Sequence, residues 1–285
     1  MPPFLIITAD DFGLHEAVNE AVEQATRAGV LTAASLMVGA AAAPDAIRRA
    51  RELPQLRVGL HLVLADGVAV LAHEQLQSIT DPRGFMDDRM FVNGVRFFAL
   101  PGVRRQLEAE IRAQFAAFAR SGLELDHVNV HKHFHLHPTL LGMILRIGAD
   151  YGLDAMRVPD EPLWFGGVAA GLLKPLIALM KRRLDAARIF HNDALFGIAA
   201  SGAMDEAKLL GIAARLPPGV TEIYLHPATR RGQPLTSTMK NYRHADELAA
   251  LLSAEVRAAI ASRRIARGGY RDARRALTRG ASAVN

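Results

Sequence analysis

The chain has 285 residues, half of them hydrophobic, enough to bury a large core as one barrel-sized domain or two small ones. It has no cysteine, which excludes disulfides, thiolate metal sites and a cysteine nucleophile, so any metal must be held by imidazole and carboxylate. The formal net charge is +5, from 34 Lys and Arg against 29 Asp and Glu, but residues 255–285 alone hold eight arginines against Glu255 and Asp272, so the basicity belongs to the tail.

The N-terminus passes from Met-Pro-Pro straight into "FLIITADDFG", without a basic leader, apolar stretch and cleavage site, and a cytoplasmic location is expected. No uninterrupted apolar run reaches 18 residues, so no spanning helix is expected. Runs rich in β-formers occur at 4–9, 31–38, 57–64, 126–131, 155–159 and 221–227. Between them, apolar residues recur at three and four over 14–28, 43–53, 103–121, 138–151 and 204–215. Strand alternating with helix implies parallel strands and right-handed crossovers. The expected fold is therefore α/β: an irregular (β/α) barrel, TIM-barrel-like, of seven or eight parallel strands, as a single domain over residues 1–254. Residues 65–102 break the rhythm with "DPRG", "VNG" and "LPG" turn signals and read as an insertion over the site. Residues 162–184, "PLWFGGVAAGLLKPLIALMKRRL", read either as an interfacial membrane element interrupted at Pro175 or as an ordinary barrel helix. Residues 255–285 form a basic helix and tail. A solvated terminus explains its charge as well as a lipid contact does, and no nucleic-acid partner is expected.

In a barrel of this kind, residues at the C-terminal ends of strands line the site. Asp10 and Asp11 end the first strand, and His61 lies near the end of the third. The fourth ends in "HVNVHKHFHLHP" (127–138), Arg157 lies in the fifth, and His226 follows the last. In an extended chain, Asn129, His131, His133 and the next two odd-numbered histidines would form one polar file. Same-side Cα atoms stand about 6.5–7 Å apart, so one or two imidazoles reach a single ion. His131 is the first choice, His133 the fallback, and His135 and His137 begin the next helix. Asp11, His61 and His131 would make a two-histidine, one-carboxylate triad with open positions. Each has a plainer reading too: one aspartate could cap the helix beginning near Leu14, His61 could be a satisfied core residue, and His226 an exposed loop histidine. A turn must separate the roles of Asp10 and Asp11. Arg157 could pair with Asp10 and keep it ionised, and His226 could supply a proton near neutral pH.

"TADDFG", "GLHL", the histidine-rich fourth strand and "LHPA" together resemble the YdjC-like carbohydrate deacetylases. "TADDFGLHEAVNEAV", "LDHVNVHKHFHLHP" and "LPPGVTEIYLHPA" look most like the hopanoid-biosynthesis-associated branch, the HpnK proteins. The resemblance runs from Phe4 to the region of Leu252 and leaves the arginine-rich tail outside. The family typically reads Asp-Ser-His-His-His where this chain has Asn129-Val130-His131-Lys132-His133, which aligns His131 with the first family histidine. The resemblance implies metal ligands Asp11, His61 and His131, a base Asp10 and an acid His226. It implies one divalent ion, Zn²⁺ ahead of Mg²⁺, Mn²⁺ and Ni²⁺. It also implies removal of acetyl from an N-acetylglucosaminyl hopanoid, hence a glycolipid or amino-sugar substrate, peripheral contact at the inner face of the cytoplasmic membrane, and room for an oligomer. The rivals are a deacetylase of soluble sugars such as chitooligosaccharides, a phosphoesterase or sugar isomerase on the same barrel, and a non-catalytic lipid or metal carrier.

Overall fold

The computed structural model describes residues 3–230 and 234–282. β1 (Phe4–Phe12) is buried at every position, as a parallel strand covered on both faces requires. With β2 (Ala33–Leu36), β3 (Arg57–Leu62), β6 (Val128–Val130), β7 (Ala194–Phe196), β8 (Val220–Leu225) and β9 (Ala266–Arg267) it forms a seven-stranded sheet. The order is β6-β3-β2-β1-β8-β7, every pair is parallel, and β9 joins the start of β1.

The sheet curls, and residues 155–160 close the gap between β6 and β7. They do so through the single bridges Val128↔Met156 and Ala155↔Phe190 and a 3.0 Å bond from Leu195 N–H to the Asp160 carbonyl. The strand expected over 155–159 is reduced to these bridges for a local reason. Pro159 has no N–H to give, and the Asn192 side chain, not a neighbouring strand, satisfies both the N–H and the carbonyl of Val158 (2.7 and 2.8 Å). The irregular parallel barrel expected from sequence is the architecture found.

Helices cover the outside: α1 (Glu16–Ala28), α2 (Ala43–Arg51), α4 (Pro101–Arg120), α5 (Pro138–Ala149), α6 (Leu163–Ala186), α7 (Glu206–Ala214), α8 (His244–Leu252), α9 (Ala254–Ser262) and α10 (Tyr270–Ser282). α1 buries Val18, Ala21, Val22 and Ala25, the three-and-four spacing of one helical face. Its cap is His15, whose Nδ1 accepts from Ala17 N–H at 3.0 Å. Neither aspartate of the "DD" pair serves as a cap, so both are free for other work.

Residues 65–102 hold the antiparallel pair β4 (Gly67–Val68) and β5 (Phe85–Met86), a short 3-10 turn at His73–Gln75 and α3 (Met90–Ala99). The buried Glu110 carboxylate of α4 pins this segment by accepting from Val70 and Leu71 N–H (2.8 and 3.0 Å). α6 kinks at Gly167 (φ +60°) and contains Pro175. By length and composition alone it could cross a bilayer, although no unbroken apolar run announces it, and only 17% of its apolar window is buried. The C-terminal segment packs under the barrel. Tyr270 of α10 is fully buried, and Arg57 of β3 pairs with Asp272 at 2.8 Å.

Candidate metal centre

β1 pairs with β2 at Ala9↔Ala34 and next at Phe12↔Leu36, so β1 carries one extra residue here. Asp11 sits in this bulge at φ +60°. The bulge turns two adjacent carboxylates in different directions, as the sequence required.

Asp10 points to Arg157. Its Oδ2 accepts from Nη1 at 2.5 Å and its Oδ1 from Nη2 at 2.9 Å, while Asn129 Nδ2 donates to Oδ1 at 3.0 Å. Burial alone would raise the Asp10 pKa, but the Arg157 charge and hydrogen bonds outweigh it and hold the group well below the usual carboxylate range. Arg157 is itself fully buried and also bonds both oxygens of Glu222 (2.8 and 2.9 Å). It therefore pairs with Asp10 as expected and packs over the Tyr224 ring (4.7 Å), but it does not itself line the cavity.

Asp11 points the other way. Both its oxygens are buried without a hydrogen-bond partner. Oδ1 lies 3.3 Å from His61 Nε2 and 3.3 Å from His131 Nδ1, and those two nitrogens are 3.2 Å apart. Three buried donor atoms thus form a nearly equilateral triangle. Donors on a tetrahedral ion, with bonds of about 2.0–2.1 Å, stand about 3.3–3.4 Å apart. The unsatisfied carboxylate, the spacing and the donor types all fit a divalent ion.

The surroundings orient these donors. His61 Nδ1–H donates to Asn129 Oδ1 at 2.7 Å, which leaves the Nε2 lone pair facing the triangle. His131 Nε2 lies 3.9 Å from Asp66 Oδ2, and that oxygen also receives Lys132 Nζ (2.8 Å) and Thr238 Oγ1 (2.6 Å). Burial works against charge on His131, yet Asp11 and then Asp66 outweigh it and lift its pKa to about 9. Burial would also raise Asp11, but the His131 and His61 rings, each 3.3 Å from its Oδ1, keep it well below the ordinary value.

The single file of histidines does not form. β6 stops at Val130, and His131–Leu136 is a 3-10 turn with Lys132 and His133 both at φ +55°. Period-two alternation therefore ends at His131. His133, the fallback ligand, contacts Tyr224 Oη at 3.1 Å and lies outside the triangle. His135 is fully buried, and burial takes its pKa down to about 3. His127 faces Ser35 and Asp126 (3.1 and 3.0 Å).

His226 follows β8 and lines one cavity of about 230 Å³ with Asp10, His61, His131, His133 and Tyr224. Its N–H donates to Glu247 (2.5 Å), its carbonyl accepts from His244 Nδ1 (2.6 Å), and its own Nδ1 has no partner. Burial lowers its pKa, with the charges of Asp11 and Asp10 opposing.

The six residues singled out in sequence thus converge: five on the cavity or triangle, and Arg157 behind Asp10. Sequence reasoning missed Asp66, Glu222 and Glu247. Asp66 stands in "ADG", indistinguishable from an ordinary turn aspartate. The two glutamates lie in a strand and a helix with no neighbouring signal.

A family model described as YdjC-like protein matches residues 4–262. The chain is 37% identical over 163 residues to a carbohydrate deacetylase of Brevibacillus brevis, an alignment covering 57% of this chain and 60% of that protein. It is 28% identical to a carbohydrate deacetylase of Geobacillus stearothermophilus over 95% of this chain and 98% of that one. Among solved structures it is similar to an Enterococcus faecalis protein provisionally named for cellobiose-phosphate cleavage. The TM-score is 0.77 at 24% identity, covering 95% and 99% of the two chains, a likeness of fold.

Proposed function

The chain belongs to the YdjC-like protein family, and from that premise we propose that it is a metal-dependent carbohydrate N-deacetylase. The observation that carries this reading is the triangle of Asp11, His61 and His131 donors with Asp10 beside it on one cavity. The names of the Brevibacillus and Geobacillus relatives support it. Two imidazoles and one carboxylate as donors favour Zn²⁺, with Mg²⁺, Mn²⁺ and Ni²⁺ as alternatives.

An N-acetyl amide is a poor electrophile with a poor leaving group. A divalent ion held by Asp11, His61 and His131 would supply Lewis-acid chemistry, lowering the pKa of water from 15.7 towards about 7 and polarising the acetyl carbonyl. Asp10 accepts the proton of the attacking water. Three hydrogen bonds fill three of its roughly four lone-pair sites, and the remaining one is on Oδ2. Arg157 is a positioning residue that keeps Asp10 ionised and aimed. His226 protonates the departing nitrogen. Burial keeps it neutral at rest, so the proton it delivers is one taken up during the cycle, relayed from the water that Asp10 deprotonates.

Zinc-loaded protein should release acetate from chitobiose. Asp10→Asn should lower kcat about 10²–10⁴-fold with zinc affinity retained. Phosphate release from a sugar phosphate without acetate would overturn the reading in favour of a phosphoesterase, and full function in Asp10→Asn would favour a carrier.

For the substrate we favour an N-acetylglucosaminyl hopanoid, which places the protein at the inner face of the cytoplasmic membrane. The hopanoid-branch wording of three segments and the exposed apolar face of α6 support this. A polar groove of about 500 Å³, which shares Thr238 with the cavity and is lined by Ser78, Asp81, Arg89 and Arg96, supports a sugar beside the metal centre. Mass spectrometry of the glycolipid after incubation should show loss of one acetyl group. Turnover confined to chitooligosaccharides would favour the soluble-sugar alternative.

A further inference from the structure

Two helices leave long apolar stripes uncovered. On α3, Phe91 (85% exposed), Val95 and Phe98 (70%) recur at four and three along one face. On α6, beyond the Gly167 kink, Val168 (82%), Leu172 (76%), Leu176 and Leu179 do the same. Contiguous exposed apolar surface of this kind marks an interaction site.

Both helices adjoin the mouth of the barrel. α3 belongs to the segment that follows the C-terminal end of β3, and its Phe97 packs on Phe134 (ring centroids 5.4 Å), three residues after His131. α6 begins where 155–160 ends, with Trp164 and Phe165 against Phe196, the last residue of β7 (5.3 and 5.4 Å). Arg183 of α6 donates to the Pro138 carbonyl at the start of α5, so the two helices flank the turn that carries His131.

Charge selects the occupant. Residues 89–107 hold Arg89, Arg96, Arg104 and Arg105, and residues 162–184 hold Lys174, Lys181, Arg182 and Arg183, with no Asp or Glu in either stretch. Asp87 pairs with Arg89, and Asp160 pairs with both lysines. Among the described residues Arg104, Arg105 and Arg182 form no ion pair, and Arg105 and Arg182 are exposed and able to meet an anionic partner. A second copy of the chain would set like charges against like. Apolar side chains among unopposed cations match an anionic lipid surface, where apolar groups enter the acyl boundary and arginines meet headgroups.

We propose that the exposed faces of α3 and α6 form a two-helix docking surface for an anionic bilayer, which holds the mouth of the metal centre against the headgroup layer. The proposal deepens the membrane location proposed above, and it is argued from exposure and charge whatever lipid-borne sugar is the substrate.

The test is co-sedimentation of the full chain with phosphatidylcholine vesicles, with and without phosphatidylglycerol, no substrate being present. Binding is expected with the anionic vesicles and is expected to weaken at high salt. About tenfold weaker binding is expected for Phe91→Asp with Phe98→Asp, for Val168→Asp with Leu172→Asp, and for Arg104→Glu with Arg105→Glu. A thermal transition matching the wild type shows each variant folded. Wild type left in the supernatant, or folded variants that sediment as well as wild type, would overturn the proposal. So would a sedimentation-velocity dimer that the apolar variants convert to monomer, which would assign the face to a second copy. Because vesicle binding is read without turnover, failure of the deacetylase reading and failure of docking are separate results.

Discussion

Adjacent side chains on a strand point to opposite faces, and the bulge at Asp11 uses this to give one carboxylate to Arg157 and the other to two imidazoles. In the metal-free protein, Asp11 is ionised and His131, with a pKa of about 9, is protonated at neutral pH. An ion must displace that proton. Below pH 9 the proton competes, so affinity falls as pH falls: about one proton should be released per Zn²⁺, and binding should weaken about tenfold from pH 8 to pH 7. Titration calorimetry in buffers of different ionisation enthalpy measures the release, and an affinity flat across that range would refute it. Asp66 gives a second prediction. Burial opposes its charge, but the His131 ring 3.9 Å away and the contacts from Lys132 and Thr238 bring its pKa down to about 2, below the ordinary 3.8. A depressed carboxylate contributes stability above the unfolded value and loses it as pH falls from about 3.8 through about 2. Asp66→Asn should therefore cost about 1–2 kcal/mol at pH 7 and little near pH 2, read from urea midpoints. It should also weaken Zn²⁺ binding about 10–100-fold through His131. Asp11, His61 and His131 were legible as candidates in sequence because their types have few other uses at strand ends, whereas Asp66 was hidden by the many ordinary turns that use the same residue.

At the scale of elements, β3 and β6 must lie in one register for His61 and Asn129 to meet, and the structure pairs those two residues directly. The close approach depends on Gly59. A Cβ there would lie 2.5–2.6 Å from three atoms of the His127 ring. Gly59→Ala should cost about 1–3 kcal/mol, seen as a fall of several degrees in Tm. An unchanged Tm would mean that the ring moves aside freely. The long strands and amphipathic helices were legible because their periodicity persists over many residues. β7, three residues long, offers too little repetition to detect, and the 155–160 segment is half replaced by a side chain. The histidine file failed for a related reason: alternation describes an extended chain, and nothing in "HKHFHL" announces two successive positive φ angles.

At the scale of the whole molecule, the arginine-rich C-terminus is part of the barrel. Tyr270 of α10 donates to Glu222 at 2.5 Å, Glu222 accepts from Thr8 and Arg157, and Arg157 holds Asp10. A buried chain of hydrogen bonds thus runs from the base of the fold to Asp10 beside the candidate metal centre. Tyr270→Phe removes one donor from a buried carboxylate and should cost about 1–3 kcal/mol, while a chain ended at Ser262, lacking β9 and α10, should lose its cooperative transition. Differential scanning calorimetry checks both, and a truncated chain that melts like the full one would show α10 to be dispensable.

From the order of its residues alone, the chain determined which side chains can do chemistry, the alternation of strand and helix, and the absence of thiol ligands, because these follow from composition and local periodicity. Only the tertiary structure decided which way each aspartate faces, which histidine joins the triangle, and that Asp66 and Tyr270 serve the site from segments far away in the chain. Those choices depend on backbone dihedrals and on contacts between remote residues, and neither leaves a pattern in a short stretch of sequence.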